Sequence, residues 1–196
     1  FLWRLREKLT LAERMVPAAR LSATGLFKDL PSLTPVDDLI AYEVNVPFWS
    51  DGAEKRRWFR LPRGGKISFD PSEAWKFPVG TTLVKNFEQE GRGGGRVRLE
   101  TRLLIHQPDG WAGFTYQWND RQDDADLVPD GDVETSVTIR GVRWSIPTRD
   151  QCLQCHGHAA GNVLGLNTLQ THRDGQLQRW RRQALLDDAF DDSRDY

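Results

Sequence analysis

Apolar and polar residues alternate along the middle of this chain. In VRLETRLLI, residues 97–105, Val97, Leu99, Thr101, Leu103 and Ile105 recur at every second position against Arg98, Glu100 and Arg102. That period sends successive side chains to opposite faces of a strand. Runs of similar β-type composition follow from Leu39 onward: LIAYEVNV, KRRWFRLP, KISF, TTLVKNFE, GWAGFTYQW, ETSVTI and VRWSI. Clusters of Gly, Pro and Asp separate them at the roughly 8–12-residue spacing of antiparallel sheets. GRGGGR, from Gly91, predicts a flexible hairpin connection between two long strands. In TTLVKNFE the alternation places Thr82, Val84, Asn86 and Glu88 on one face and Leu83, Lys85 and Phe87 on the other, so that Lys85 points with two large apolar residues.

The pattern changes at both ends. From Leu2 to about Ala19, apolar residues at Leu2, Leu5, Leu9, Leu11 and Met15 among Arg, Lys and Glu predict a weakly amphipathic helix that acts as a docking arm. SATGLFKDLPSLTP is turn-rich and reads as a linker. After Pro147 the pattern turns helical, with Thr148 as N-cap of a short helix carrying Cys152, Cys155 and His156. A last helix is expected from Gly175 to about Phe190, followed by a frayed tail. The expected fold class is therefore α+β: a mainly antiparallel β-sheet body over 35–174, a helical arm and linker over 1–34, and a C-terminal helix and tail over 175–196.

A length of 196 residues suits one core. The formal net charge of −1 argues against nucleic acid or an anionic membrane surface as partner. Nothing approaches the about 18 consecutive apolar residues of a membrane span. WSDGAEKRRWFRLP mixes tryptophans with basic residues, but Asp51 and Glu54 offset its charge and it reads as a turn leading into a strand. NDRQDDADLVPDGD lacks the spacing of a calcium loop and is expected to be a solvated acidic loop. The chain opens on Phe1, which fits a mature or excised piece whose export signal lies outside it.

Charge and composition leave the function open; QCLQCHGHAA does not. It holds both cysteines, Cys152 and Cys155, with His156 directly after. Cys-x-x-Cys-His is the attachment signature of c-type haem: one helical turn carries two thiols to the two vinyl groups of a porphyrin, and the next imidazole becomes the proximal iron ligand. Three other readings compete. A zinc site would use Cys152, Cys155, His156 and His158, although tetrahedral sites usually draw ligands from two separated segments. A thioredoxin-type redox pair expects a βαβ context. The third is two ordinary buried thiols. Covalent haem attachment would place the protein outside the cytoplasmic membrane, in the periplasm or at the cell surface. For a sixth ligand, His158 is too near His156 to reach the opposite haem face, Met15 fits a core position better, and His106 and His172 remain candidates.

Longer blocks carry a resemblance. LSATGLF, YEVNVPFWSDGAEKRRWFRLP, WKFPVGTTLVKNFE, LETRLLI, GWAGFTYQWNDRQDDADLV and IPTRDQCLQCHGHAAGNVLGLNTLQ together resemble a family of exported bacterial c-type cytochrome domains, over about Leu21 to Arg173. The family usually reads QLNR where this chain has QTHR, so His172 departs from its pattern. A second, shorter likeness runs from Trp75 to Cys155: FPVGTTLVK, an aromatic strand and the C-terminal haem motif are similar to hydroxylamine-oxidising cytochromes with a lysine-crosslinked haem and to the nitric-oxide-binding cytochromes c-prime-beta. That likeness implies Lys85 as the cross-linking or pocket lysine.

The expectation is one haem c bound by Cys152, Cys155 and His156, with Lys85 as candidate catalytic or cofactor-binding residue. The activity expected is extracytoplasmic electron transfer to a redox partner protein or larger multihaem complex. The alternative is a five-coordinate haem enzyme or gas-binding module, and a third option is a docking module in a redox complex.

Overall fold

The computed structural model describes residues 15–91, 94–131, 134–191, 193–194 and 196. The helical arm expected from Leu2 lies outside them, apart from its last five positions. The body is a six-stranded antiparallel sheet of β3 (Ile40–Ala41), β4 (Glu54–Arg60), β5 (Thr82–Glu90), β6 (Arg96–Gln107), β7 (Gly110–Trp118) and β8 (Ala125–Leu127), whose spatial order follows chain order. Two hairpins flank it: β1 (Phe27–Asp29) with β2 (Thr34–Pro35), and β9 (Thr135–Ile139) with β10 (Val142–Ile146). The short helices are α1 (Arg149–Cys155), α2 (Thr168–Thr171) and α3 (Gln176–Arg182). A mainly antiparallel α+β fold is what the sequence predicts.

Cross-strand partners share a face, so the ladder registers define two sides. Trp58, Val84 and Leu103 are partners on one side, where they pack with Ile105, Phe114, Tyr116 and Trp118. Leu21, Leu26, Leu30 and Leu33 close over this side, so the stretch expected to be a linker is part of the core. On the other side Phe59, Leu83 and Leu104 pack with Tyr42, Trp75 and Trp180. Further along that side Phe87 packs with Val97, Leu99, Ile139 and Trp144.

Strict alternation in β6 does not hold. A register shift between Phe87 and Glu88 leaves Leu99 as an extra residue opposite β5. Val97 and Leu99 therefore join the Phe87 cluster, while Thr101, Leu103 and Ile105 face the opposite way. A bulge of this kind puts two successive residues on one side, here Leu99 and Glu100, and it overturns the single apolar face expected for 97–105. The alternation predicted for β5 does hold: Val84 belongs to one core, Leu83 and Phe87 to the other side.

Other boundaries also shift. LIAYEVNV contributes only the two paired residues of β3. KISF makes isolated bridges, Ile67 to Leu186 and Ser68 to Lys76. The acidic stretch is not wholly solvated, because Asp124 is buried and accepts from the Ser22 hydroxyl at 2.6 Å and its amide at 3.1 Å. The last helix stops at Arg182 instead of Phe190. Ala184 turns left-handed with φ 57°, and the Leu185 amide donates to the Trp180 carbonyl at 2.9 Å, a helix-ending turn that sends Leu186 and Phe190 into the core as irregular chain.

Candidate functional site

Helix α1 begins after Pro147, where Thr148 caps it. The Gln151 amide donates to the Thr148 hydroxyl at 3.2 Å, and the Thr148 amide donates to the Gln151 side chain at 2.8 Å. This reciprocal box satisfies two helix-end donors and fixes the first turn. The helix packs on β7 at Gly113, where a Cβ would come within 3.3 Å of the Cys152 Cβ. The missing side chain is what permits the approach. Cys152 is half-buried and Cys155 exposed, and neither is in a disulfide. Burial pushes the Cys152 thiol above its ordinary pKa, with Arg102 opposing.

His156 is the C-cap of α1, its amide bonded to the Cys152 carbonyl at 3.0 Å. Its Nδ1 lies 2.8 Å from the Asn162 carbonyl oxygen. A carbonyl can only accept, so Nδ1 carries the proton and Nε2 keeps its lone pair. Burial lowers the pKa of the imidazole; the Asn162 bond opposes this, and Lys85 and Arg102 add to it. The ring is thus oriented and neutral, the form in which imidazole binds a metal.

Beneath α1 the sheet carries an unusual row. Arg57 of β4, Lys85 of β5 and Arg102 of β6 are directly opposite one another, and Thr115 of β7 completes the row. Lys85 shares its side with Leu83 and Phe87, and its Nζ lies 5.4 Å from the Phe87 ring centre. Arg102 at 4.5 Å and Lys55 at 5.9 Å approach the same ring. Burial pulls the Lys85 pKa to about 8, helped by Arg57, Arg102 and Lys55 and opposed by Glu100. Glu100 is fully buried and accepts from Arg102; its pKa is raised, mainly by burial.

A strap over residues 45–50 borders this face. Asn45 donates to the Leu169 carbonyl at 2.7 Å, and Lys55 donates to the Phe48 carbonyl at 2.6 Å. On this strap Val46, Phe48 and Trp49 are 71–78% exposed, large apolar side chains in contact with solvent.

The four candidate sixth ligands are not brought together with His156 by any described contact. His158 is exposed. His106 is bonded through Nδ1 to the Phe77 carbonyl at 2.9 Å and stacks on Trp111. His172 is bonded through Nδ1 to the Tyr196 carbonyl at 2.7 Å. Met15 is 41% exposed and not in the core, contrary to expectation. Among the described residues no three His, Cys, Asp or Glu side chains converge as a metal-binding group, so the four-ligand zinc set has no counterpart. A βαβ unit, which the redox-pair reading needs, is likewise not found among the described strands.

Sequence reasoning misses Asn162, Gly113 and the Arg57–Arg102 flank of Lys85. Asn162 acts through its backbone, which no residue type announces. Unbroken alternation puts Arg102 on the face opposite Leu99, and the bulge brings the two onto one side. No protein-family model, curated protein or solved structure matches this chain. Among the described residues no helix is long and apolar enough to cross a membrane.

Proposed function

We propose that this chain is a one-haem c-type cytochrome domain, exported from the cytoplasm, acting in electron transfer with a redox partner protein or multihaem complex. The observation that carries the reading is His156: Nδ1–H is tied to the Asn162 carbonyl and Nε2 has no hydrogen-bond partner among the described residues, at the end of the helical turn that holds two unpaired thiols. Residues and cofactor chemistry fit. Cys152 and Cys155 would hold the porphyrin through two thioethers, each the product of S–H addition across a vinyl double bond, which leaves the hydrogen on the neighbouring carbon and needs no oxidant. His156 Nε2 would hold the iron. Haem c supplies the one-electron couple, and the protein sets its potential through ligand, hydrogen bonding and burial. The exposed Val46, Phe48 and Trp49 offer apolar cover of the kind a porphyrin face needs.

The test is the protein produced in a maturation-competent, exporting host. A Soret band that survives acid-acetone extraction is expected, and is lost in Cys152→Ala/Cys155→Ala. Stoichiometric zinc without haem would reject the reading.

A second reading, a five-coordinate haem enzyme or gas-binding module, is favoured by Lys85. A half-buried amine with no ion-pair partner among the described residues, on the sheet under α1, suits a polar pocket better than a plain electron carrier. Resonance Raman of both redox states separates the two: low-spin six-coordinate iron throughout rejects an open site. Lys85→Ala is then expected to change nitric oxide affinity while the haem content is kept.

A further inference from the structure

Like charges directly opposite one another on neighbouring strands destabilise a sheet. Here three stand in one row, Arg57, Lys85 and Arg102, with Lys55 beside them over the Phe87 ring. Arg57 is buried and its guanidinium donates to the Lys55 carbonyl, at 3.3 Å. Lys55 donates to the backbone carbonyls of Phe48 and Ala53. Arg102 spends one Nη on Glu100, and its Nε is buried without a partner among the described residues. Glu100 is the one carboxylate in ion-pair contact with the group among the described residues; Glu43 and Asp51 act on Arg57 and Lys55 only at longer range. Four cations face one carboxylate in a partly desolvated place: Lys55 and Arg57 reach backbone carbonyls, Lys85 has no ion-pair partner among the described residues, and Glu100 Oε2, like Arg102 Nε, is buried without a partner among them. Burial of unpaired charge is costly, and natural sequences break local rules of this kind at functional sites.

We propose that Arg57, Lys85 and Arg102 form a binding site for one small planar oxyanion or carboxylate group, held over the Phe87 ring beside α1. Two guanidinium groups and an ammonium offer charge-assisted donors to such a group. Two sources carry this chemistry: a propionate of the attached porphyrin, which rests on the haem reading above, or a free anion such as nitrite, which does not.

The experiment uses the purified protein, its haem content measured as the pyridine haemochrome, and nitrite as probe at constant ionic strength. If the site takes a free anion, calorimetry gives saturable one-to-one binding. Lys85→Gln and Arg57→Gln each weaken it at least about tenfold, Lys85→Arg keeps most of it, and Lys28→Gln, at an exposed pair with Asp37, leaves it unchanged. If a propionate occupies the site, nitrite gives no heat, and the propionate-bending band in the resonance Raman spectrum shifts in Lys85→Gln but not in Lys28→Gln. No nitrite binding together with an unmoved propionate band overturns the proposal. A sample without haem rejects the cytochrome reading alone, and the nitrite titration then decides the anion site by itself. Should Arg57→Gln not fold, the Lys85→Gln and Lys85→Arg pair carries the comparison.

Discussion

Lys85 shows how one residue can oppose the fold that holds it. Its pKa of about 8, against an ordinary 10.5, means that the folded protein binds a proton there more weakly than the unfolded chain does. Below about pH 8 both states are protonated and the fold bears the whole cost of the buried charge. Between about 8 and 10.5 the folded state has lost the proton and the unfolded state still holds it, so stability rises with pH; above that window the cost is gone. A depression of this size corresponds to roughly 3 kcal/mol. Lys85→Met, which keeps the length and suits contact with Phe87, is therefore expected to stabilise the fold by up to about 3 kcal/mol at pH 7 in oxyanion-free buffer. The gain should fall away above pH 8. Urea unfolding of both proteins at pH 7 and pH 10 measures it, and equal differences at the two pH values would contradict the burial argument. That Lys85 shares a side with Leu83 and Phe87 is legible from period-two alternation alone. Its cationic neighbours are not, because a lysine's partners lie on strands whose register only folding sets.

At the scale of the element, α1 is a seven-residue helix, too short to persist on its own propensity. Its two supports are the Thr148–Gln151 box and the close seat on Gly113. Thr148→Ala removes the cap and is expected to cost about 1 kcal/mol, with amide exchange speeding up first in α1. Gly113→Val forces branched carbon into a space where even a Cβ meets Cys152 at 3.3 Å. The expected cost is about 1–3 kcal/mol, with a lower yield of attached haem, read from the ratio of Soret to protein absorbance. A fully loaded, equally stable Gly113→Val protein would show that α1 does not depend on this seat. The cap can be read from the sequence, because Thr and Gln at that spacing before a helical run name the motif. The seat cannot, since a glycine within an aromatic strand gives no sign of which helix approaches it. The bulge at Leu99 is hidden for a related reason: the residue pattern from Val97 to Leu103 alternates without a break in the sequence, and only pairing with β5 reveals the extra residue.

Across the whole molecule, the site occupies a gap in the apolar lining of one side of the sheet. Phe59, Leu83 and Leu104 lie on one flank of the cationic row, Phe87 and Leu99 on the other, and both clusters hang from the same β5 and β6. The two cores cannot separate without tearing that ladder, so the site is held from both flanks by one cooperative unit. Trp180 tests this. It is buried on α3, well down the chain from the row, and packs edge-on to Phe59 with ring centres 5.1 Å apart. Trp180→Ala is expected to cost about 3–5 kcal/mol by opening a cavity in the Phe59 cluster. If the sheet unites the cores, tryptophan fluorescence, which also reports Trp144 beside Phe87, and far-UV circular dichroism lose signal at one common lowered urea midpoint. A fluorescence transition that moves while the dichroism midpoint stays at the wild-type value would mean that the Phe59 cluster unfolds alone, and that the cationic row is held from the Phe87 side only.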